Sequence, residues 1–325
     1  MEKTGAKKIG VLTSGGDAPG MNAGIRAVVR CAIAKGMEVV GVHHGYNGLI
    51  NGDIEQMDVR SVSEILHRGG TMLYTARCLE FKEQAGILKG KETCEKMGID
   101  GLVVIGGDGS FRGARDLSLA GIPTVGIPGT IDNDISCSDF SIGFDTALNT
   151  AVEAVDRLRD TSQSHDRCSV VEIMGHGAGH LTLDTGIACG ACAIWVNEVD
   201  FDVDRDIIQK IKSTASNGKH HFIVAVGEGI TDVHALAKEI ETKTGVETRA
   251  TVLGHIQRGG TPTARDRVLA TKLGVHAVEL LEKGIGNRVV VIKGNTVVDY
   301  DILEALQMKK GIDKKLFEDA KLINI

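Results

Sequence analysis

Two aspartates, Asp132 and Asp134, lie two residues apart in the segment PGTIDND, residues 128–134. The proline–glycine pair that opens the segment breaks regular structure, so we predict a strand end or a loop here. In an extended segment, residues two apart share one side, and both carboxylates would then face one pocket. Asp132 suits a general base that takes a proton from an alcohol, with Asp134 orienting it and the Thr130 hydroxyl beside it. Taken alone, the D-x-D pattern is more typical of an Asx turn on the surface.

A second motif, GGDGS at residues 106–110, suits the binding of phosphate groups. Its glycines let backbone N–H groups approach phosphate oxygens closely. Asp108, at the end of a predicted strand, is a carboxylate of the kind that holds Mg²⁺ against those phosphates. The chain has no Walker A pattern, and Arg112 occupies the sixth position where a G-x-G-x-x-G motif needs glycine. The motif therefore indicates a nucleotide-using kinase of a less common fold.

Phosphoryl transfer also needs cations to balance the charge of the transferred group. The sequence offers them at separated places: Arg77, Arg167, Arg249, and the pair His255 and Arg258. Each arginine alone is more typical of a solvated surface charge. His255 and Arg258 differ, because they precede a Gly-Gly pair in GHIQRGG, and a guanidinium there suits bidentate phosphate recognition.

Composition limits the classes of partner. Aromatic residues make up only 3% of the 325 residues, and no basic run contains interleaved aromatics, which argues against a nucleic-acid partner. The net charge of −6 requires that anionic ligands be held by local arginines and helix N-termini. We find no apolar run of membrane-spanning length and no signal-peptide core, and expect a cytoplasmic protein with no membrane partner. Its seven cysteines are expected to be reduced thiols.

The pair Cys189 and Cys192, in C-G-A-C, fits half a zinc site or a redox dithiol on spacing alone. A structural zinc needs about four ligands, and no second such pair follows. His176 and His180 are four residues apart, but they lie in the glycine-rich MGHGAGH. We therefore expect small buried thiols at the two cysteines.

Short apolar runs alternate with amphipathic stretches along the whole chain. Continuous apolar strands between helices, such as the helical pattern at 144–160, indicate parallel sheets covered on both faces. We predict two α/β domains with a break near residue 143. Three predicted strands end in glycine plus an acid, in TSGGD, IGGDGS and VGEG, and ligands bind beyond the carboxyl ends of parallel strands. These three ends suggest one cleft, although glycine–acid pairs are also common in turns.

Six spaced motifs, SGGDAPGMNAGIRAVVR, HRGGTMLYTARC, VVIGGDGS, PGTIDND, IGFDTALNT and VLGHIQRGG, together resemble the bacterial ATP-dependent 6-phosphofructokinase family. The resemblance runs from about residue 8 to the C-terminus. It implies two Rossmann-like three-layer αβα domains with mostly parallel sheets and an active site in the cleft between them. Residues 1–143 and 257–307 would bind ATP, and residues 144–256 and 308–325 would bind fructose 6-phosphate. The family also implies Mg²⁺, glycolytic formation of fructose 1,6-bisphosphate, and a homotetramer with shared active sites.

The resemblance also assigns roles to individual residues. Catalysis would fall to Asp132, which deprotonates the sugar 1-hydroxyl, with Thr130, Arg77 and Asp134. The ATP set would be Gly16, Arg77, Cys78, Gly107, Asp108, Gly109 and Ser110, with Asp108 as the magnesium ligand. The fructose 6-phosphate set would be Thr130, Ile131, Asp132, Met174, Gly175, His176, Glu228, His255, Ile256, Gln257 and Arg258, with Arg167 and Arg249 supplied by a neighbouring subunit. An effector site for ADP or phosphoenolpyruvate would comprise Arg26, Arg30, Arg159, Gly190, Cys192, Asn217, Lys219 and His221.

The chain departs from the family pattern at three positions. His176 stands where an arginine is common, Cys192 where a glutamate helps to hold the effector's magnesium, and Asn217 where an arginine often contacts its phosphate. A thiol is a poor ligand for Mg²⁺, so we expect weaker activation by Mg·ADP than is usual in the family.

Three other functions remain to be weighed. A pyrophosphate-dependent sister enzyme typically has aspartate and lysine where this chain has Gly109 and Gly129, and these glycines leave room for a nucleotide. NAD kinases and lipid kinases share a GGDG loop but do not explain PGTIDND or GHIQRGG. A non-catalytic regulatory subunit of the same fold would be expected to lack Asp108 or Asp132, and both are present.

Overall fold

The structure is a computed structural model that describes residues 5–323. Its strands are β1 (Lys8–Ser14), β2 (Glu38–Val42), β3 (Ile54–Met57), β4 (Gly101–Gly106), β5 (Thr124–Thr130), β6 (Ile142–Gly143), β7 (Cys168–Ile173), β8 (Ala193–Trp195), β9 (Phe222–Gly227), β10 (Thr248–Val252), β11 (Arg288–Lys293) and β12 (Thr296–Asp301). Its α-helices are α1 (Met21–Ala34), α2 (Tyr46–Asn51), α3 (Gln84–Met97), α4 (Asp108–Leu119), α5 (Phe144–Ser164), α6 (His180–Ala188), α7 (Gln209–Ser216), α8 (Val233–Thr244), α9 (Ala264–Glu282), α10 (Ile302–Ala305) and α11 (Lys314–Ile323). Within the described part, no helix is both long and apolar enough to cross a membrane.

The described strands form two sheets. The larger has eight strands in the order β12-β11-β5-β4-β1-β2-β3, with β6 paired to β5, and the smaller has four in the order β10-β7-β9-β8. Pairing is parallel throughout the smaller sheet, and in the larger it is antiparallel only at β2–β3 and β11–β12. The predicted α/β fold with mostly parallel sheets is therefore confirmed.

The chain divides into two compact units. The first contains the residues up to Ile131, Ile135–Thr146 and Arg258–Lys310, and it holds the larger sheet. The second contains Asp132–Asp134, Ala147–Gln257 and the residues from Gly311 onward, and it holds the smaller sheet. Each unit is thus built from separate stretches of chain, and the short segment with the two predicted catalytic aspartates belongs to the second unit.

Burial explains why these segments form parallel strands. All six residues of β4 and all six of β9 are buried, because helices cover both faces of a parallel sheet. In the first unit, Phe111 and Leu117 of α4 pack with β4 in one apolar cluster. In the second unit, Ile211 of α7 packs in another cluster with strands β7 and β9. Each sheet therefore has its own hydrophobic core.

In the first unit, the start of α9 is hydrogen-bonded to the start of α5. The buried carboxylate of Asp266, in the first turn of α9, accepts hydrogen bonds from the Gly143 N–H at 3.0 Å, the Thr146 N–H at 2.8 Å and the Thr146 hydroxyl at 2.6 Å. In return, the hydroxyl of Thr263, the N-cap of α9, donates to Asp145 of α5 at 2.6 Å. Asp266 thus satisfies N–H groups that the start of α5 leaves unpaired. The contact sets the point at which α5 begins.

We predict that Asp266→Ala lowers the free energy of unfolding by about 2–4 kcal/mol, because it leaves buried N–H groups without their charged acceptor. Urea denaturation at pH 7 measures the loss. Asp160→Ala removes an exposed carboxylate near the other end of α5 and should change stability by less than about 0.5 kcal/mol. Equal losses in the two variants would show that the cap contributes nothing.

Candidate active site

The two glycine–acid loops and the PGT segment meet at one edge of the larger sheet. Strands β1, β4 and β5 are parallel neighbours, and they end at Ser14, Gly106 and Thr130 respectively. TSGGD and GGDGS therefore follow adjacent strands, as ligand loops of parallel sheets do. The third predicted loop, VGEG, follows β9 of the smaller sheet. The structure thus places two of the three glycine–acid ends at a common sheet edge.

The N-terminus of α4 provides a place for an anion. The helix begins at Asp108 directly after β4, and its N-cap Gly107 makes no side-chain capping bond. A Cβ atom at Gly107 or Gly109 would meet no heavy atom within 4 Å, so the space in front of these residues is open. The N–H groups at a helix N-terminus and the helix dipole favour phosphate there. The Asp108 carboxylate, in the first helical turn, has the hard oxygen donors that suit Mg²⁺.

Ser110 joins this helix to the neighbouring strand. Its hydroxyl donates to the Ser14 carbonyl at 3.0 Å, and its own carbonyl accepts from the Tyr46 hydroxyl at 2.6 Å. A Cβ atom at Gly106 would lie 2.4 Å from both the Ser110 hydroxyl and the Ser14 carbonyl. Glycine at 106 is therefore required for the loops after β1 and β4 to pack this closely.

Arg258 reaches the TSGGD loop. Its Nη1 donates to the Asp17 carbonyl at 3.2 Å, and a Cβ atom at Gly16 would lie 2.4 Å from that nitrogen. The structure thus brings together Gly16, predicted for ATP, and Arg258, predicted for the sugar phosphate. Their proximity is the arrangement expected where a phosphate passes from one substrate to another.

The segment LYTAR carries Arg77 and is fastened to the same loops. The Thr13 hydroxyl donates to the Tyr74 carbonyl, and the Thr75 hydroxyl donates to the Gly15 carbonyl, both at 2.7 Å. The Asn47 amide donates to the Arg77 carbonyl at 3.2 Å, while the Arg77 side chain is exposed. Next to it, the predicted ATP residue Cys78 packs its thiol against the first unit's core, and burial raises the pKa of that thiol. Arg77 is free to face a ligand, whereas Cys78 serves packing.

A cluster that sequence reasoning missed supports this segment. Asp53 accepts from ring nitrogens of His43 at 3.2 Å and His44 at 3.1 Å, and these bonds hold the Asp53 pKa below its usual value. The His44 ring stacks on Tyr74 with 5.0 Å between centroids and 10° between planes. Both His44 and Tyr74 have left-handed backbones, which non-glycine residues rarely adopt. The cluster therefore fixes the turn that leads to Arg77.

The segment with the two aspartates is bent. Asp132 is buried, Asp134 is half-buried, and Asn133 between them has a left-handed backbone with φ of 53°. The predicted strand end is correct, because β5 ends at Thr130, but the alternation of an extended chain does not continue past it. The alternation of side chains along an extended strand therefore does not apply to Asp132 and Asp134, and it gives no reason to place both carboxylates in one pocket. The side chain of Ile131 is fully buried in the bend.

In the second unit, the carboxyl ends of β7 and β9 hold one loop of predicted substrate residues. The Glu228 carboxylate accepts from the N–H groups of Gly175 at 3.4 Å and His176 at 3.2 Å. The Met174 N–H donates at 2.8 Å to the amide oxygen of Gln257, which is fully buried. Five predicted residues thus form one hydrogen-bonded group. Two further predicted residues of this unit, His255 and Ile256, lie in the short turn after β10, and the Ile256 side chain is 59% exposed.

Arg167 and Arg249 lie at the opposite edge of the smaller sheet. Arg167 precedes β7, and Arg249 is the second residue of β10, where it pairs with Ser169. Both guanidinium groups bind the Glu247 carboxylate, Arg167 at 2.8 Å. The six residues of β7 span about 20 Å. Within one chain, the length of the strand therefore separates these arginines from Met174 and His176.

The predicted effector residues of the second unit also lie at the amino ends of its strands. Lys219 and His221 precede β9, Gly190 and Cys192 precede β8, and Asn217 follows α7. Burial, with Arg159 and Lys219 nearby, lowers the His221 pKa. Nη2 of Arg159 is buried, with no hydrogen-bond partner among residues 5–323. Arg26 and Arg30 lie on α1 of the first unit, where Arg30 donates to the Val59 carbonyl at 3.3 Å. In the second unit, the positive charges of Arg159 and Lys219 suit an anion.

Cys189 and Cys192 are buried free thiols. Burial raises the pKa of each to about 11, so both are protonated at neutral pH. Across the described residues, no three side chains of histidine, cysteine, aspartate or glutamate are grouped to hold a metal ion without a ligand's help.

Comparison with known proteins gives the family. The Phosphofructokinase family profile matches residues 8–281. ATP-dependent 6-phosphofructokinases of Bacillus cereus (strain B4264) and Bacillus thuringiensis (strain Al Hakam) are each 55% identical over 319 residues, which cover 98% of this chain and 100% of theirs. The chain belongs to the phosphofructokinase family. The predicted resemblance is confirmed.

Solved structures agree with the fold. Phosphofructokinase from Saccharomyces cerevisiae superposes with a TM-score of 0.87 at 34% identity, over 98% of this chain and 48% of the yeast chain. A pyrophosphate-dependent phosphofructokinase from Marinobacter aquaeolei superposes with a TM-score of 0.85 at 19% identity, over 95% of this chain and 86% of that one. The second likeness concerns the fold alone.

We predict that Asp53→Asn raises the KM for ATP several-fold with a smaller change in kcat, because a neutral amide holds His43 and His44 less firmly and loosens the turn before Arg77. Glu38→Gln, at the other end of β2, is the matched charge control. A KM for ATP in Asp53→Asn that matches wild type would exclude this role for Asp53.

Proposed function

We propose that the chain transfers the γ-phosphoryl group of ATP to the 1-hydroxyl of fructose 6-phosphate, giving fructose 1,6-bisphosphate and ADP in glycolysis. The family match over residues 8–281 and the 55% identity to ATP-dependent 6-phosphofructokinases support this activity. The observation that carries it in the structure is the shared edge of β1, β4 and β5, where an open helix N-terminus lies beside the TSGGD loop and Arg258.

In this proposal the first unit binds ATP. The N-terminus of α4 and the open space at Gly107 and Gly109 take the phosphate chain, and Gly16 and Arg77 lie on the neighbouring loops. Asp108 would hold Mg²⁺, which supplies charge neutralisation to the phosphates. The exposed Arg77 guanidinium balances charge on the transferred group.

The second unit would supply the sugar site and the base. Asp132 accepts the proton of the attacking hydroxyl, with Thr130 and Asp134 positioning the group, and its burial suits a base that must work away from water. The loop Met174–His176, held by Glu228 and Gln257, presents backbone and imidazole to the sugar phosphate. His176 places an imidazole where an arginine is common in the family.

Glycine at two positions favours ATP over pyrophosphate as donor. At Gly109 a side chain would enter open space in front of α4, where the rest of a nucleotide needs room. At Gly129 a Cβ atom would lie 2.9 Å from Cγ2 of Ile105 and 3.2 Å from Cε of Met21, so these two side chains occupy the space that a side chain at 129 would need. A lysine at 129 would not fit this packing without rearrangement.

A homotetramer with shared active sites accounts for Arg167 and Arg249. Both lie a strand length away from their own chain's predicted sugar-binding loop, which supports a role in the site of a neighbouring subunit. The proposal extends to a cytoplasmic location and to an effector site for ADP or phosphoenolpyruvate at Arg159, Lys219 and His221, joined by Arg26 and Arg30.

The proposed function is tested with purified protein, Mg²⁺ and fructose 6-phosphate, with ATP or pyrophosphate as donor. We expect turnover when ATP is the donor and none when pyrophosphate is the donor. Asp132→Asn should lower kcat at least about 10²-fold while the KM for fructose 6-phosphate changes little, because a general base acts in the transition state. Near-normal kcat in this variant would remove Asp132 from that role, and turnover with pyrophosphate alone would overturn the choice of donor.

The proposed sharing of active sites between subunits can be tested separately. Arg249→Ala should raise the KM for fructose 6-phosphate about tenfold or more, because a charge-assisted contact to phosphate is lost. Mixing this variant with Asp132→Asn under conditions that exchange subunits should restore activity, since some sites then contain both native residues. Mixed assemblies confirmed by mass spectrometry but with only the parental activities would argue that each subunit builds its own site.

A further inference from the structure

The second unit contains a cavity that the proposed reaction does not use. It has a volume of about 190 Å³ and lies between the edge strand β8, the turn that leads into α7, and the C-terminal helix α11. Its charged lining residues are Arg205, Asp206, Lys210 and Lys321. Helix α11 contributes residues three and four apart, so one face of that helix closes the cavity.

Positive charge exceeds negative charge in this cavity. Arg205 is already paired, since its guanidinium donates to Asp206 at 2.6 and 3.0 Å. Lys321 is exposed, and its ammonium lies over the Phe317 ring and 3.7 Å from Glu318. These two cations therefore have partners of their own.

Lys210 is the exception. It is half-buried, and within residues 5–323 its ammonium makes no ion pair. Burial lowers its pKa, with Lys219 and Lys321 acting in the same direction and Cys192 and Asp206 opposing them. Cys192 does not neutralise it, because the buried thiol is protonated at neutral pH. An anion in the cavity would give this ammonium the partner that it lacks.

The rest of the wall is apolar. Phe201 and Phe317 face the cavity with Ala193, Ile194 and Ala320. Phe317 and Ala320 are buried in α11, and Phe201 stacks on Trp195 with centroids 4.7 Å apart. A bare inorganic ion would leave this apolar surface without contact, and a neutral hydrocarbon would leave Lys210 unpaired. The volume is below the roughly 300 Å³ at which pockets accept drug-sized molecules, so it suits a smaller ligand.

We propose that this cavity binds a small organic carboxylate, with its charge on Lys210 and its apolar body against Phe201 and Phe317. The site is separate from the sheet edge proposed for ATP and from the loop proposed for the sugar phosphate. It shares Cys192 with the predicted effector group, so an occupant would contact the strand start that carries that group.

Trp195 is the only tryptophan in the chain, and its stacking on Phe201 makes its fluorescence a direct report of the cavity. The probe is 3-methylbutanoate, titrated into the full-length protein. We expect a saturable change in Trp195 emission. The neutral alcohol 3-methylbutan-1-ol, which has the same carbon skeleton, should bind at least tenfold more weakly, and inorganic phosphate should neither change the emission nor compete. No saturable change, equal binding of the alcohol, or competition by phosphate would each overturn the proposal.

Two variants test separately how the charge of Lys210 and the apolar wall of the cavity contribute to binding. Lys210→Met keeps the length of the side chain and should weaken 3-methylbutanoate binding at least tenfold, whereas Lys212→Met, an exposed lysine on the same helix, should not change it. Ala320→Val keeps every charge and narrows the cavity, so it should also weaken binding. Unchanged affinity in both Lys210→Met and Ala320→Val would place the carboxylate elsewhere.

A measurement on the unaltered protein does not depend on how the variants fold. Reductive methylation followed by mass spectrometry compares the labelling rates of Lys210 and Lys212. Saturating 3-methylbutanoate should slow labelling of Lys210 at least threefold and leave Lys212 unchanged. Equal rates at Lys210 with and without the carboxylate would overturn the proposal.

Discussion

Parallel pairing of β4 with β1 on one side and β5 on the other is the constraint on which the rest of the site depends. Strands that pair in parallel must end at the same edge, so three loops far apart in sequence become neighbours. The hydroxyl of Ser110 then ties two of these loops together through the Ser14 carbonyl. The cost of this closeness is that Gly106 has no room for a side chain. The many glycines of the chain therefore include several that geometry demands.

The same constraint acts in the smaller sheet with a different result. Residues after β7 and β9 gather at one edge, and residues that precede β7 and β9 gather at the other. A single sheet of this kind has two chemically distinct ends, separated by the length of its strands. The group held by Glu228 lies at one end, and both the Arg167–Arg249 pair and the Lys219–His221 group lie at the other. In the proposed assembly with shared active sites, a second copy would bring both ends to one place.

The sequence predicts elements better than it predicts contacts between them. Strands such as β4 and β9 were recognisable because burial on both faces leaves an uninterrupted apolar run. The strand ends at GGDGS and PGTIDND were predictable, because the residue types of these two segments themselves indicate a strand end. The Asp53 cluster was not, because it depends on antiparallel pairing of β2 with β3, which sets His43 opposite Asp53. The bend at Asn133 was missed because nothing in the residue types alone forbids an extended chain there. Periodicity also gave no sign of the cap that Asp266 supplies to a helix more than a hundred residues away.

Glu247 has a consequence for any phosphate that Arg167 and Arg249 bind. Both guanidinium groups already share its carboxylate, and this pairing lowers the Glu247 pKa. An arriving phosphate therefore does not meet two bare cations, but exchanges with an anion of the same chain. The net gain is the free energy of the phosphate's ion pairs less that of the Glu247 pairs they replace, so it is smaller than the phosphate pairs would give alone. The Glu247 carboxylate would hold the two guanidinium groups together when no phosphate is bound. It would also favour release of the phosphate, because it can replace the phosphate as their partner.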